Sequence, residues 1–438
     1  MNVKLKQYWF NIKNSLWFLP TLMALSAAAL AFGVVKLDAR VTYDELPIDW
    51  FLYGGQRDGA RSVLSTIASS MVTIAGVTFS ITLVALTMAS SQFGPRLLRN
   101  FIADKGNQFV IGTFISTFIY SLIVLLTIRG SGEDEFVPKI SVVLAFLVAV
   151  FSLGVLIYFI HHVSTSIQAD YVIKSSYQDF QKIKTESMPS EERKVEQESI
   201  QEALQQIQTD YKLQTEMYLQ TSGYVQRIDY EASCSWALEH NAVLEWLVYP
   251  GVFATMHHFY ARVYHQAALP QKTLEKLQAF VKIDYQRTPN QDLLFPLNQI
   301  VEVGVRALSP GINDPHTAIT CLHWLGAALT DIATSQLPSA ILKDTNGVVS
   351  VVRRQVGYQA IVDACFDHFR VYARSNMYVA AEVLQALKKP LILTKNSEYQ
   401  RALKDMATSI YKESLQEHGD QVPQVMKTDY REIMRLGS

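Results

Sequence analysis

Residues 62–94 read SVLSTIASSMVTIAGVTFSITLVALTMASSQFG and contain no charged side chain. About 20 helical residues cross a ~30 Å hydrocarbon core. This run is longer, so a helix here tilts or protrudes from the bilayer. Residues 16–35, 107–128 and 140–160 are similarly apolar and uncharged. Soluble helices of this length normally show a polar stripe of charged groups. The four runs therefore predict transmembrane helices over about 16–37, 62–91, 107–128 and 138–162, in a transmembrane domain of residues 1–163.

Composition agrees with this division. The chain has 438 residues, a formal net charge of −1, 49% hydrophobic and 18% charged residues, and a mean hydropathy of +0.10. Soluble proteins carry about 25% charge. A near-neutral balance argues against a nucleic-acid binder, and abundant aliphatic and aromatic residues exclude intrinsic disorder. Cys234, Cys321 and Cys365 are widely spaced and form no CxxC pair, a pattern suited to a reducing compartment.

The first span follows Lys4, Lys6 and Lys13 but is too long for a signal-peptide core and lacks a small-residue cleavage site, so it reads as a retained helix. The loop cations tie: Arg96, Arg99 and Lys105 join the N-terminal lysines on one side. Lys36, Arg40, Arg57, Arg61, Arg129 and Lys139 face the other. Lys174, Lys182 and Lys184, after the fourth span, tip the balance towards both termini inside. The expected location is a bacterial inner membrane.

The second span carries the most information. Ser62, Thr66, Ser69, Thr73, Gly76, Ser80, Thr87 and Ser91 fall on one helical face, interrupted near Leu83 and Val84. Such a stripe either lets helices pack closely or lines a water-filled path where hydroxyls replace part of an ion's hydration shell. Gly94 and Pro95 end this helix. Arg96 and Arg99 follow one turn apart, as candidates for a cytoplasmic mouth or for anchoring to lipid phosphates. The interiors of the spans hold no Asp, Glu, Lys, Arg or His, which counts against a proton relay and not against a passive pore. His161 and His162, at the end of the fourth span, suit a helix C-terminus.

Beyond residue 163 the composition becomes that of a soluble region. Residues 164–221 read as a helical connector, 222–268 as a small β-rich subdomain and 269–438 as a helical subdomain. The β candidates are 223–230, 242–249 (closed by Pro250-Gly251) and 259–264. Clear helices are expected at 293–308 and 315–330, with at least one more within 352–387. The overall class is mostly α: a four-helix transmembrane domain, then a mixed α/β cytoplasmic domain with a small β-barrel-like element.

Between the two clear helices lies Arg306-Ala307-Leu308-Ser309-Pro310-Gly311-Ile312-Asn313-Asp314-Pro315-His316-Thr317. Ser309-Pro310-Gly311 turns the chain, Asn313 or Asp314 caps the next helix, and Pro315 occupies its first position. The segment is a structural corner or a ligand corner in which Arg306, Asn313, Asp314, His316 and Thr317 hold an anion at the helix N-terminus. HExxH, Walker A, GxSxG and GxGxxG patterns are absent. His240, His257, His258 and His265 lack a metal spacing joined to Cys or acidic partners. No catalytic, cofactor or metal residues are assigned, and an enzyme is not expected.

Residues 79–86 with 91–101, together with 306–318, resemble the bacterial family of predicted membrane proteins known as domain of unknown function 2254. Ser222-Gly223-Tyr224-Val225 and Pro250-Gly251 are similar to its pattern as well. The resemblance covers nearly the whole chain and implies an inner-membrane protein with four spans and a cytoplasmic C-terminal domain. It implies no activity. The β element with its Pro-Gly turn also resembles a lipoyl-type barrel, but no lysine sits at a hairpin tip, so an oligomerisation collar fits better than a covalent carrier.

The function expected from the residues is a homo-oligomeric ion channel or small-solute pore lined by the hydroxyl stripe. Its partners are the lipid bilayer, further copies of itself and a permeating ion or solute, without nucleic acid or cofactor. The alternative is a membrane-anchored sensor or scaffold whose cytoplasmic domain binds a ligand or partner.

Overall fold

The computed structural model describes residues 15, 17–40, 57–94, 104–129, 136–187, 200–343, 347–374 and 376–436. The chain divides into two units, Met1–Gln168 and Ala169–Ser438.

The first unit contains α1 (Phe18–Asp38), α2 (Arg57–Phe93), α3 (Lys105–Thr127) and α4 (Lys139–Ser166), each long and apolar enough to cross a membrane. The four spans expected from hydropathy are therefore present, with small shifts at their ends. The largest shift is in α2, which already starts at Arg57. Its first turns thus include Arg61, whose Nη2 donates to the Ile128 carbonyl at 3.0 Å. The α3 helix is central and packs against α1, α2 and α4. Val110, Phe114, Tyr120 and Val124 of α3 meet Leu64, Ile67 and Met71 of α2 and Val142, Val155 and Phe159 of α4. Hydroxyls bridge the apolar contact: Thr117 and Ser152 lie 3.0 Å apart, a form of helix-to-helix glue in lipid.

The second unit begins with α5 (Ala169–Ser187) and α6 (Ile200–Asp210). The strands and short helices follow: β1 (Leu213–Tyr218), β2 (Gly223–Ile228), α7 (Tyr230–Glu239), β3 (Ala242–Trp246), β4 (Phe253–Ala254), β5 (Phe259–His265), α8 (Gln271–Glu275) and β6 (Val281–Asp284). Next come α9 (Leu294–Ala307), α10 (Pro315–Ala333), β7 (Ile341–Lys343), β8 (Val349–Arg353), α11 (Tyr358–Ala373), α12 (Met377–Leu393), α13 (Ser397–His418) and α14 (Gln424–Arg435).

The strands form two open sheets, ordered β1-β5-β3-β8-β7 and β4-β2-β6, and not a closed barrel. The barrel-like expectation fails because the three strands read from the sequence do not share a sheet. Asp229 ends β2 by capping α7, its carboxylate accepting from the Ala232 N–H at 3.0 Å. The chain then leaves for the second sheet, where β3 and β5 pair antiparallel. The other edge of β3 is taken in parallel by β8, which arrives from far along the chain. Two further readings are corrected. Leu213–Tyr218, inside the expected helical connector, is strand β1 paired with β5. Val352 and Arg353, inside the expected helical stretch, belong to β8.

The core of the sheets is built around Trp246, Leu244, Val263, Val225 and Val351. The remaining helices pack on one another: α9 contacts α5, α10 and α11, while α12 contacts α10, α13 and α14. The α5 helix is thus a packed member of this bundle. Cys234, Cys321 and Cys365 form no disulfide.

Candidate functional site

The hydroxyl stripe lies on α2. An α-helix advances 100° per residue, which places Ser62, Thr66, Ser69, Thr73, Gly76, Ser80, Thr87 and Ser91 along one line. All eight are exposed in the single chain. The opposite face carries Leu64, Ile67, Met71, Thr78, Thr82, Ala85 and Ala89, all buried against the rest of the unit. Within the single chain the stripe packs against no other described helix of the unit.

Its hydroxyls are satisfied locally. Thr66 donates to the Ser62 carbonyl at 2.7 Å, Thr73 to Ser69 at 3.0 Å, Ser80 to Gly76 at 3.0 Å and Thr87 to Leu83 at 2.9 Å. Ser69 donates to Ser65 at 2.8 Å, and Ser91 bonds one residue closer, to Met88. Such back-bonding allows a hydroxyl to sit in a membrane helix without an outside partner. In these six residues the hydroxyl hydrogen is then committed, and the oxygen lone pairs remain facing outward. Arg96 and Arg99, the expected mouth residues, lie outside the described residues.

The corner between α9 and α10 is built by capping. Ser309 accepts from the Ile312 and Asn313 N–H groups, and the Asp314 N–H donates to the Ala307 carbonyl at 2.8 Å. Asn313 takes a left-handed φ of 48°. The Asp314 carboxylate accepts from the Thr317 N–H at 3.1 Å and from its hydroxyl at 2.6 Å. Together these bonds hold its carboxyl below the usual carboxylate range. Asp314 and Thr317 therefore satisfy each other at the α10 N-terminus. A carboxylate thus occupies the place where an anion would bind. His316 is exposed and Arg306 half-buried on either side of the turn.

Two polar pairs at the ends of the membrane helices escaped the sequence reading. Asp104 caps α3 through the Gly106 and Asn107 N–H groups, and its other oxygen lies 3.0 Å from His162 Nε2. Asp38, at the end of α1, accepts from the Ile140 and Ser141 N–H groups of α4. The signal for Asp104 was present, since an Asp immediately ahead of an apolar run is a capping pattern. The signal for its His162 partner was not, because a tertiary contact sets that pairing.

Comparison with known proteins decides the family. The model of the family described as "Predicted membrane protein (DUF2254)" matches residues 13–389. The chain belongs to this family. Two relatives are the uncharacterized proteins Mb1321c of Mycobacterium bovis and Rv1290c of Mycobacterium tuberculosis. Each is 30% identical over 347 residues, which is 77% of this chain and 64% of the relative. The chain thus spans a little under two thirds of the length of these relatives. No solved structure matches.

The segments that carried the resemblance to the DUF2254 family have clear structural roles where they are described. The 306–318 segment is the capped corner. Gly223 opens β2 where a Cβ would lie 2.7 Å from the Asp284 carbonyl oxygen. Gly251 turns the chain with a φ of +98°, and a Cβ there would stand 2.3 Å from Asp292 Oδ2. Both glycines are demanded by close approach of a neighbouring strand or side chain.

Proposed function

We propose that this membrane protein acts without catalysis, as a homo-oligomer in a bacterial inner membrane with both termini cytoplasmic. In this reading α2 faces the axis of the assembly, and its hydroxyl stripe lines a passive pore for ions or small solutes. The observation that carries the reading is the position of the hydroxyl line on α2: Leu64, Ile67 and Met71 are buried against the rest of the unit, and the hydroxyl line lies on the opposite, outward side, with Val72, Phe79 and Leu83 exposed beside it.

Apart from the hydroxyl line, the outward faces of the membrane helices are mainly apolar. Leu25 and Phe32 of α1, and Phe146, Phe151 and Ile157 of α4, are exposed. Those side chains suit lipid tails. The hydroxyl line instead suits close approach by a second copy or contact with a partly dehydrated ion. Because the hydroxyl hydrogens point back to main-chain carbonyls, the stripe offers lone pairs, which favours cations over anions.

The test is conductance from purified protein in planar bilayers, with the oligomer verified by mass. The reading expects channel events that Ser69→Leu and Thr73→Leu alter. A verified oligomer that leaves the bilayer silent overturns it in favour of the anchored sensor or scaffold.

A further inference from the structure

Arg227 and the distant neighbours Arg353 and Arg354 meet at one cavity of the second unit. The cavity encloses about 320 Å³, and Arg227, Arg353 and Arg354 all border it. Small-molecule sites begin at about 300 Å³. Its walls come from the end of β2, the first turn of α7, the turn Tyr249-Pro250 and the segment that follows β8. The cavity therefore lies at the carboxyl ends of the parallel pair β3–β8, where Trp246 is in register with Arg353.

Arg353 is the fixed member of the set. Its Nε donates to the Ser339 carbonyl at 2.8 Å, and its guanidinium stacks 4.6 Å from the centroid of the Tyr230 ring. Burial draws the Arg353 guanidinium below its ordinary pKa and pushes the Tyr230 phenol up to about 12. Tyr230 and Cys234 act on the Arg353 charge. A desolvated guanidinium is costly unless it is paired.

Glu186, Asp229 and Glu231 also border the cavity, so its lining is formally neutral. They form no direct ion pair with the arginines. Asp229 is engaged as the α7 cap, Glu186 and Glu231 are exposed, and among the described residues none is ion-paired with Arg227, Arg353 or Arg354. The α7 N-terminus is already capped by the Asp229 carboxylate, so the arginines alone carry the positive potential at this wall. Gln355, also at the cavity, has a buried Oε1 with no hydrogen-bond partner. Tyr249, Pro250, Leu293 and Leu337 add apolar surface to the lining.

We propose that this cavity binds a phosphate-bearing small molecule with a flat ring, of the size of a mononucleotide. Guanidinium forks match phosphate oxygens in pairs. The apolar lining takes the ring. The proposal concerns the second unit alone and is independent of conduction.

The test is direct binding to the full chain in lipid nanodiscs, by calorimetry and by shift of the melting temperature. The probes are AMP, GMP, CMP and UMP, each alone, and inorganic phosphate. At least one nucleotide is expected to bind more tightly than inorganic phosphate. Losing one charge-assisted contact costs about tenfold in affinity or more, so Arg353→Gln and Arg354→Gln should each weaken binding to that extent. Arg354 is exposed, so its variant reports on binding even where Arg353→Gln fails to fold. Absence of binding by every probe at millimolar concentration overturns the site, as does nucleotide affinity unchanged in Arg354→Gln. Phosphate binding as tight as the nucleotides overturns the ring contact.

Discussion

Asp38 and Ser141 join the end of the first membrane helix to the start of the fourth. The Asp38 carboxylate accepts from the Ser141 N–H at 2.9 Å and from the Ser141 hydroxyl at 2.5 Å, and its other oxygen accepts from the Ile140 N–H. Both residues are buried. The α4 helix has no capping side chain of its own, since Pro138 precedes it. A residue from α1 therefore satisfies N–H groups that would otherwise be orphaned.

Asp38→Ala should accordingly destabilise the membrane unit. An N-cap is worth about 1 kcal/mol, and hydrogen bonds to a charged group about 1.5–3 kcal/mol. A loss of ~2 kcal/mol or more is expected in detergent unfolding. Asp38→Asn keeps an acceptor oxygen and should lose clearly less. Equal losses in the two variants would show that the capping bonds do not set the effect.

The two faces of α2 should respond in opposite ways. Met71→Ala opens a cavity in the buried face and is expected to cost about 2–5 kcal/mol. Ser69→Leu and Thr73→Leu change only exposed positions, so monomer stability should stay within ~0.5 kcal/mol of the parent. Any effect of the stripe variants should appear in oligomer mass or conductance. Strong unfolding of a verified monomer by Ser69→Leu would contradict this division.

Gly251 admits no side chain. Its φ is +98°, and an added Cβ would meet the buried Asp292 carboxylate, which pairs with Arg287 at 2.7 Å and bonds the Leu294 N–H at 3.1 Å. Gly251→Ala combines backbone strain of order 1–3 kcal/mol with a steric clash. The expected result is a drop of several degrees in the melting temperature of the second unit, and an unchanged melting curve would refute it.

Acid should weaken the α9–α10 corner through Asp314. The Thr317 hydroxyl and N–H lower its folded-state pKa, so the cap contributes fully above the ordinary carboxylate value of ~4. That contribution disappears as pH falls through the lower folded value. Asp314→Ala should lose about 1 kcal/mol at neutral pH and show a flatter acid limb. The check is a melting temperature measured from pH 7 down to pH 3 in both proteins. Parallel curves would remove Asp314 from the linkage.

The membrane helices were legible because hydropathy along the chain is sufficient to define a span. The corner was legible for a different reason: Asp314 and Pro315 carry local capping chemistry, and α10 does start at Pro315. The sheets were less legible. Strand β1 reads Leu-Gln-Thr-Glu-Met-Tyr, with only Met217 buried, so it presents almost no apolar alternation. Strand β8 looked like the start of a helical stretch because its identity depends on pairing with β3. The arginine cavity was illegible for the same reason, since only the fold brings Arg227 beside Arg353. The stripe was read as a line, but which way it faces depends on α3 and α4 covering the other side of α2.

The parallel pair β3–β8 also sets an order for biosynthesis. Strand β5 covers one edge of β3 soon after both emerge, but the other edge waits about a hundred residues for β8. Until the ribosome has passed Arg353, β3 presents an open row of backbone donors and acceptors, the kind of edge that templates aggregation. Long-range pairing of this sort is slow to form. Nascent chains stalled short of β8 should therefore depend on chaperones, and those released past Arg353 should not.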